Sequence, residues 1–394
     1  MKVSILGHGV VGKGVWEMLK GNPGYEIRSV LVKKGEKSAD FMTETFEDVV
    51  NDDSELVIEC MGGIDPAYEF TSRCLEAGKS IISSNKALVA AHGIDLMEIA
   101  RRKGKAFLFS AACGGAIPIL QNLCLARRTD RIIWAGGILN GTTNYILDSM
   151  DRRGLGFDDA LAEAKALGYA EFDPTADISG MDTLRKIMLI SMVAFDVLPN
   201  SDYNIEGITN VTALDFAVAR EYGCTIRLIG KCGLGDSGRL YAYVQPILCN
   251  GESAYAGIRS NINLARYEGQ NSGVMSFMGQ GAGRYPTASA ILRDVTSVTD
   301  GQKQMLTEKC LVGFPYNNSR ECARNYFIRI DAKADALGPA IPVVKVLCEK
   351  EGFTYAVTES MTVKAMHDAV AELRRHGAKV FFAETSVFNK EARA

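Results

Sequence analysis

The chain has no run of about 18 apolar residues, the length a helix needs to cross a bilayer. Nor does it carry an excess of either charge: 44 Lys and Arg against 47 Asp and Glu leave a net charge of −3. That balance excludes a general nucleic-acid binder and a basic membrane-surface protein. Ten cysteines stand singly (Cys60, Cys74, Cys113, Cys124, Cys224, Cys232, Cys249, Cys310, Cys322, Cys348), and no CxxC pair occurs. A zinc ribbon and a dithiol redox motif are not expected, and a reduced, cytoplasmic setting is. Histidine is scarce: only His8, His92, His367 and His376 occur, with none between residues 93 and 366. Acid–base chemistry in the middle of the chain must then do without imidazole. Lysine is the natural substitute, because burial and neighbours tune its pKa.

What is present is 394 residues of globular composition, 47% hydrophobic and 23% charged. That is too apolar for disorder and long enough for two or three domains. The opening Met1 to Leu6 turns glycine-rich at once and meets Lys13, so a signal peptide is not expected here. Val3 to Leu6 reads as a strand. Gly7-His8-Gly9-Val10-Val11-Gly12 follows, then a helical pattern at Val15, Met18 and Leu19. In a dinucleotide site Gly7 permits the tight turn, Gly9 admits the pyrophosphate to the backbone, and Gly12 lets helix and strand pack closely. The helix start at Val10 and Val11 offers its N–H groups to the phosphates. The alternative is a purely structural glycine turn.

The second strand reads Ile27 to Val32. Where an NAD-preferring site often places an acid on the ribose, this chain has Lys33 and Lys34. Two cations suit a 2′-phosphate, so NADP(H) is expected in preference to NAD(H); the alternative is a solvated loop. Further strands over Leu56–Cys60, Ser80–Ser83 and Ala106–Phe109 alternate with helices from about Pro66 and over about Ala87–Arg102. The expected fold class is α/β, with a Rossmann-type doubly wound parallel sheet. Gly62, Gly63, Asn85 and Lys86 fall at its C-terminal strand ends, where ligands bind.

Near residue 131 the alternation stops. Arg131 to Ile138 reads as a strand, and Asn140-Gly141-Thr142-Thr143 after it either binds a ligand or caps a helix. Gly168 to Lys186 is the densest segment in charge, with Glu171, Asp173, Asp177, Asp182, Arg185 and Lys186. Asp177 is expected to start a helix running through Ile187, Leu189 and Ile190. Asp182 and Lys186 then share a face that continues into apolar residues. Two readings stand for that pair. One is a partly buried pair with work to do; the other is an exposed salt bridge worth about 0.3–0.5 kcal/mol.

At these residues the chain resembles the homoserine dehydrogenase family, over about residues 3 to 295. The resemblance rests on the glycine turn at 7–12, Met61-Gly62-Gly63, Ser84 to Leu88, Gly114 to Pro118, Gly137 to Leu147, the Asp173 to Lys186 block, and Gly279 to Ala288. It implies NAD(P)-dependent interconversion of L-aspartate 4-semialdehyde and L-homoserine, on the route to threonine, methionine and isoleucine. It implies Lys186 as proton donor, Asp182 as its acidic neighbour, and Lys86 as a second active-site lysine. Glu171, Asp177, Tyr169, Gly141 and Thr142 match substrate-site positions, and Gly168 and Gly283 match positions near the cofactor. Backbone carbonyls of Ser110, Cys113, Gly115 and Ile117 match a monovalent-cation loop, with sodium as the ion. Here Ser110 stands where many members carry Glu, and Ala116 where glycine is common. A homodimer or larger homo-oligomer is implied as well. The competing readings are a dehydrogenase of a related amino-acid aldehyde and a non-catalytic NADP-binding regulator; the second would lack Lys186 or Lys86, and both are present.

The expected domains are 1–130 for the nucleotide, completed by about 281–323; 131–280, an α+β part for substrate and dimerisation; and 324–394. Thr296 to Ala323 reads as a connector. Beyond it the pattern reads strand (Tyr326–Ile330), helix (about Ala340–Glu351), strand (Phe353–Thr358), helix (Lys364–His376), strand (Lys379–Phe382). This resembles a divergent ACT domain, with Leu337 in place of a proline in Asp335-Ala336-Leu337-Gly338. The resemblance implies threonine as an effector, or a purely structural role.

Overall fold

The computed structural model describes residues 1–199, 204–235, 238–306, 311–314 and 322–388. Contacts divide the chain into two units: 1–131 with 188–198 and 277–312, and 132–187 with 199–276 and 313–394. Of the expected connector, residues 307–310 and 315–321 lie outside the described residues, and Cys310 with them. So do 200–203 and 236–237 of the expected middle domain and 389–394 at the end. Among the described residues no helix is long and apolar enough to cross a membrane.

The chain opens with β1 (Lys2–Leu6), α1 (Val10–Leu19), β2 (Glu26–Leu31), β3 (Met42–Thr43), α2 (Phe46–Asn51), β4 (Leu56–Glu59), α3 (Ala67–Glu76), β5 (Ser80–Ser83), α4 (Lys86–Lys103), β6 (Phe107–Leu108) and α5 (Ile119–Ala126). The six strands are all parallel, in the order β3-β2-β1-β4-β5-β6. A parallel sheet is covered on both faces, so its strands read as apolar runs: Val3, Ile5, Val57, Ile58, Ile81 and Ile82 are wholly buried. Strand order reverses between β1 and β4, the switch point at which such sheets bind ligands.

Then come β7 (Ile132–Ile138), α6 (Gly141–Arg153), α7 (Phe157–Ala166), α8 (Thr175–Ile178), α9 (Met181–Phe195), β8 (Val197–Pro199), β9 (Asn204–Ile205), α10 (Ala213–Glu221), β10 (Cys224–Leu234), β11 (Leu240–Asn250), β12 (Ile262–Gly269), β13 (Gly273–Gln280), α11 (Arg284–Thr299) and β14 (Leu311–Phe314). The last segment holds β15 (Ala323–Ile330), β16 (Val343–Lys350), β17 (Phe353–Thr358), β18 (Met361–Thr362), α12 (Val363–Arg375) and β19 (Val380–Thr385). Strands β7, β10, β11 and β12 pair antiparallel. Strand β19 joins β11 in parallel, Ile247 beside Glu384 and Leu248 beside Thr385. One sheet thus runs β13-β12-β7-β10-β11-β19-β15-β17-β16. The fold is mixed α/β: a parallel Rossmann-type sheet and a separate mixed sheet.

Two expectations need correction. The helix over about Ala340–Glu351 is strand β16. Val343, Val346 and Leu347 have helical spacing, but Pro342 precedes a run of β-branched valines. Glu351 (φ 51°) and Gly352 (φ 79°) then form the left-handed two-residue turn of a hairpin with β17. A single 3₁₀ turn, Ala334–Leu337, precedes this strand. Asp177 does not start the long helix either. It lies in the single-turn α8, and Gly180 (φ 86°) breaks the chain before α9 begins at Met181.

Candidate active site

The turn after β1 is shaped by its glycines. A Cβ on Gly12 would lie 2.0 Å from the Gly7 carbonyl oxygen, and one on Gly7 (φ 98°) would meet the Cys60 carbonyl at 2.9 Å. At Gly9 a Cβ would meet nothing within 4 Å. Gly9 is thus bare toward open space rather than toward the protein, as a seat for phosphate requires. Gly9 is also the N-cap of α1 and supplies no side-chain cap, and the first turn of α1 carries no acid. Its leading N–H groups and dipole are left to an anion. Val10 is exposed and Val11 half-buried at this end.

A cavity of about 910 Å³ opens there. Gly7, His8, Gly9 and Lys13 line one side, Lys33, Glu36, Ser38 and Glu44 another, and Met61, Gly62 and Pro66 a third. These residues fit a dinucleotide. Lys33 reaches the cavity; Lys34 is exposed and is not part of its lining. Glu44 accepts hydrogen bonds from the Gly35 and Lys37 amides, at 2.9 and 3.3 Å, and so shapes the loop that bears the lysines.

Gly62 and Gly63 both have positive φ (79° and 73°). Asn85 Nδ2 donates to the Gly63 carbonyl at 2.6 Å, while its Oδ1 caps α4 by accepting from Leu88 N at 3.1 Å. Lys86 is the first residue of that helix and half-buried. Beneath them Glu59 is fully buried. Its carboxyl group accepts from Met61 N at 2.8 Å and Ser83 Oγ at 2.5 Å. Burial pushes its pKa up, and these hydrogen bonds oppose the rise. The one polar residue of strand β4, Glu59 was the visible signal, and the sequence reading passed over it.

The candidate acid–base group is built on α9. Lys186 Nζ lies 2.7 Å from Asp182 Oδ2, four residues earlier, and both side chains are only 9% exposed. That exposure excludes the exposed salt bridge: the pair is buried. Lys186 also donates to the Leu139 carbonyl at 2.6 Å. Asn140 joins the group from the start of α6. Its Nδ2 donates to Asp177 Oδ1 at 2.7 Å and to Asp182 Oδ2 at 2.8 Å. Its Oδ1 meanwhile accepts from Thr143 N at 2.8 Å. The cap reading of the polar block therefore holds, and the same amide also gathers two carboxylates. Sequence reasoning had not made Asn140 a site residue.

Gly141 is the first residue of α6, and a Cβ there would lie 2.7 Å from the Asn261 carbonyl. Thr142 Oγ1 donates to the Tyr169 carbonyl at 2.5 Å, and Tyr169 packs against Tyr145. Gly168 (φ 74°) precedes this loop. Glu171 is exposed within it and makes no hydrogen bond or ion pair among the described residues. Gly283 (φ 123°) caps α11.

In the proposed cation loop, the Ser110 hydroxyl and amide both donate to Asp294, at 2.5 and 2.8 Å. Burial raises the pKa of Asp294 to about 6. The Ser110 and Ile117 carbonyls accept from the Cys113 and Ile119 amides, at 3.3 and 2.9 Å. A carbonyl has two lone pairs, so one such bond does not saturate it. Gly115 is held by contact: its Cβ would lie 2.6 Å from Gly281.

Residues 7–110 match the family model described as homoserine dehydrogenase, NAD binding domain, and residues 118–296 match the one described as homoserine dehydrogenase. The chain is 32% identical to a homoserine dehydrogenase of Pseudomonas aeruginosa over 374 residues, 89% of this chain and 86% of that one. It is 30% identical to one from Bacillus subtilis over 395 residues, 95% and 90% of the two chains. A solved homoserine dehydrogenase from Thiobacillus denitrificans superposes with a TM-score of 0.86 at 29% identity, covering 98% of this chain and 97% of that one.

Proposed function

We propose, on the premise that this chain belongs to the homoserine dehydrogenase family, that Lys186 donates the proton of its reaction and Asp182 holds it in place. The chain is an NAD(P)-dependent oxidoreductase acting on a CH–OH group, and interconverts L-aspartate 4-semialdehyde and L-homoserine. The nicotinamide cofactor, when bound, supplies the hydride chemistry. Reduction of the aldehyde carbon puts negative charge on its oxygen, which the Lys186 ammonium stabilises and protonates. The Leu139 carbonyl and Asp182 aim the ammonium, and Asn140 keeps Asp182 and Asp177 together. Glu171 takes the substrate ammonium; Asp177, Tyr169, Gly141 and Thr142 line the substrate, and Lys86 adds a second positive charge. The observation that carries this reading is the buried 2.7 Å pair of Lys186 and Asp182.

For the cofactor we assign NADP(H) over NAD(H), with Gly7, Gly9, Val10, Val11 and Gly12 at the diphosphate. Lys33 at the cavity edge supports this, with Lys34 beside it in sequence. Gly62, Gly63, Asn85, Gly168 and Gly283 complete the cofactor seat. Glu36 in the same lining favours the second reading, NAD(H). The test is NADPH and NADH oxidation with aspartate semialdehyde. In Lys33→Asp with Lys34→Ala, the NADPH-to-NADH ratio of kcat/KM is expected to fall about ten-fold or more, one charged contact's worth. An unchanged ratio would return both lysines to the surface.

We place sodium on the backbone carbonyls of Ser110, Cys113, Gly115 and Ile117; it would fix their loop and takes no part in proton transfer. The enzyme is read as a homodimer or larger homo-oligomer of the cytosol, where thiols such as that of Cys74 stay reduced. Threonine added to the assay tests the terminal segment: inhibition assigns it sensing, and full activity assigns it structure.

A further inference from the structure

A mechanical connection runs from the C-terminal helix to the acid–base group, wholly within the second unit. Its first member is the turn Ile178–Gly180, which separates Asp177 from Asp182. This turn is packed backbone to backbone against residues 204–208. Ile208 N donates to the Ile178 carbonyl at 2.8 Å. A Cβ on Gly207 would lie 2.1 Å from that same oxygen, and one on Gly180 would meet Ile205 and Val244 at 3.1 Å. The two segments are thus in direct contact, with no room for a side chain between Gly207 and the Ile178 carbonyl.

The 204–208 strap has only two strand residues of its own, Asn204 and Ile205, paired with Tyr243 and Val244 of β11. Glu206 N donates to the Val244 carbonyl at 2.8 Å. What fixes its outer side is the Glu206 carboxylate, which is 8% exposed. Arg374, in the last turn of α12, grips both of its oxygens at 2.8 Å, and Asn210 donates to one of them at 3.0 Å. Arg374 also donates to the Val380 carbonyl at 2.8 Å. Helix α12 is anchored in turn by Met366 and Val370 in the core with Tyr326, Ile328 and Phe382. A two-point fork between guanidinium and carboxylate fixes direction as well as distance.

We infer that Arg374 and Glu206 are positioning residues for the reaction: through the 204–208 strap, the C-terminal helix sets the turn that places Asp177 and Asp182 against Asn140 and Lys186. The inference rests on the reading of Lys186 as proton donor. It gives the terminal segment a part in catalysis that needs no effector.

The test uses the full chain with Arg374→Ala, Arg374→Lys and Glu206→Gln. Glu206→Gln guards against a folding failure of Arg374→Ala, because it keeps the shape and removes the charge. In Arg374→Ala and Glu206→Gln, kcat is expected to fall about 10- to 100-fold, the scale of a remote misplacement at a reacting centre. Arg374→Lys should recover part of the loss. The alkaline limb of the kcat profile should move to lower pH, because a carboxylate drifting off Lys186 no longer favours its ammonium. The Kd for NADPH, read by fluorescence without substrate, should not change. Parental kcat and pH limb in all three variants, with only Tm lowered, would overturn the inference. Lys186→Ala run in parallel separates the two failures: if it retains turnover, the proton-donor reading falls; if it is inactive while the Arg374 variants are normal, only the connection falls.

Discussion

Lys186→Ala is expected to lower kcat by about 10²- to 10⁴-fold, the range that a positioned general acid contributes. Binding of NADPH should persist, because Lys186 is not among the residues assigned to the cofactor seat. The loss should not be mistaken for unfolding. Removing the ammonium leaves Asp182 and Asp177 on one Asn140 amide. Two neighbouring carboxylates that lose a nearby positive charge repel each other, which costs some stability but leaves α9 its apolar face: Ile187, Leu189 and Ile190 remain wholly buried. The measurement is single-turnover oxidation of NADPH by aspartate semialdehyde, with Tm and NADPH affinity taken on the same sample. Near-parental turnover would remove Lys186 from the proton-donor role and pass it to another group.

The parts of this molecule that could be read in the sequence are those whose cause is local. Gly7, Gly9 and Gly12 follow a strand and precede a helix, and each does a different steric task within six residues. The parallel sheet announces itself because both faces of each strand must be apolar. Asp182 and Lys186 are four apart, so any helix brings them together; only their burial needed the fold. Strand β16 was misread because a short apolar run fits a helix and a strand equally well. The hairpin turn at Glu351-Gly352 was the deciding feature, and it lies at the end of the run. Asn140 was legible as a cap, and its second task depends on residues 37 and 42 positions away. Arg374 and Glu206 are 168 positions apart. Nothing in the sequence around either residue names the other; the 204–208 strap that carries Glu206 gives the pair its consequence.

The largest expected effect on stability falls at another long-range pair, Arg329 and Asp215. Asp215 is wholly buried at the third position of α10, where it closes a capping box with Thr212. Arg329 Nη1 lies 2.6 Å from its Oδ2, and Tyr355 donates to Oδ1 at 3.2 Å. The guanidinium is 5.0 Å from the centre of the Phe353 ring. Burial drives the Asp215 pKa up, and Arg329 is the first force opposing that rise. Arg329→Ala removes the countercharge and leaves the carboxylate in place, so urea unfolding near neutral pH is expected to show a loss of about 3–5 kcal/mol. The pH dependence has a definite sign. A carboxyl group whose folded pKa is raised costs nothing below its unfolded value and costs most once pH passes the folded one. The deficit of Arg329→Ala should therefore shrink as pH falls toward 4. Asp215→Asn in the same chain should recover part of the loss, since no charge is then stranded. A deficit under about 1 kcal/mol, or one unchanged by pH, would mean that the carboxylate is hydrated in the variant. Because β19 continues the sheet of β11, the loss should appear as one transition rather than as melting of the terminal segment alone.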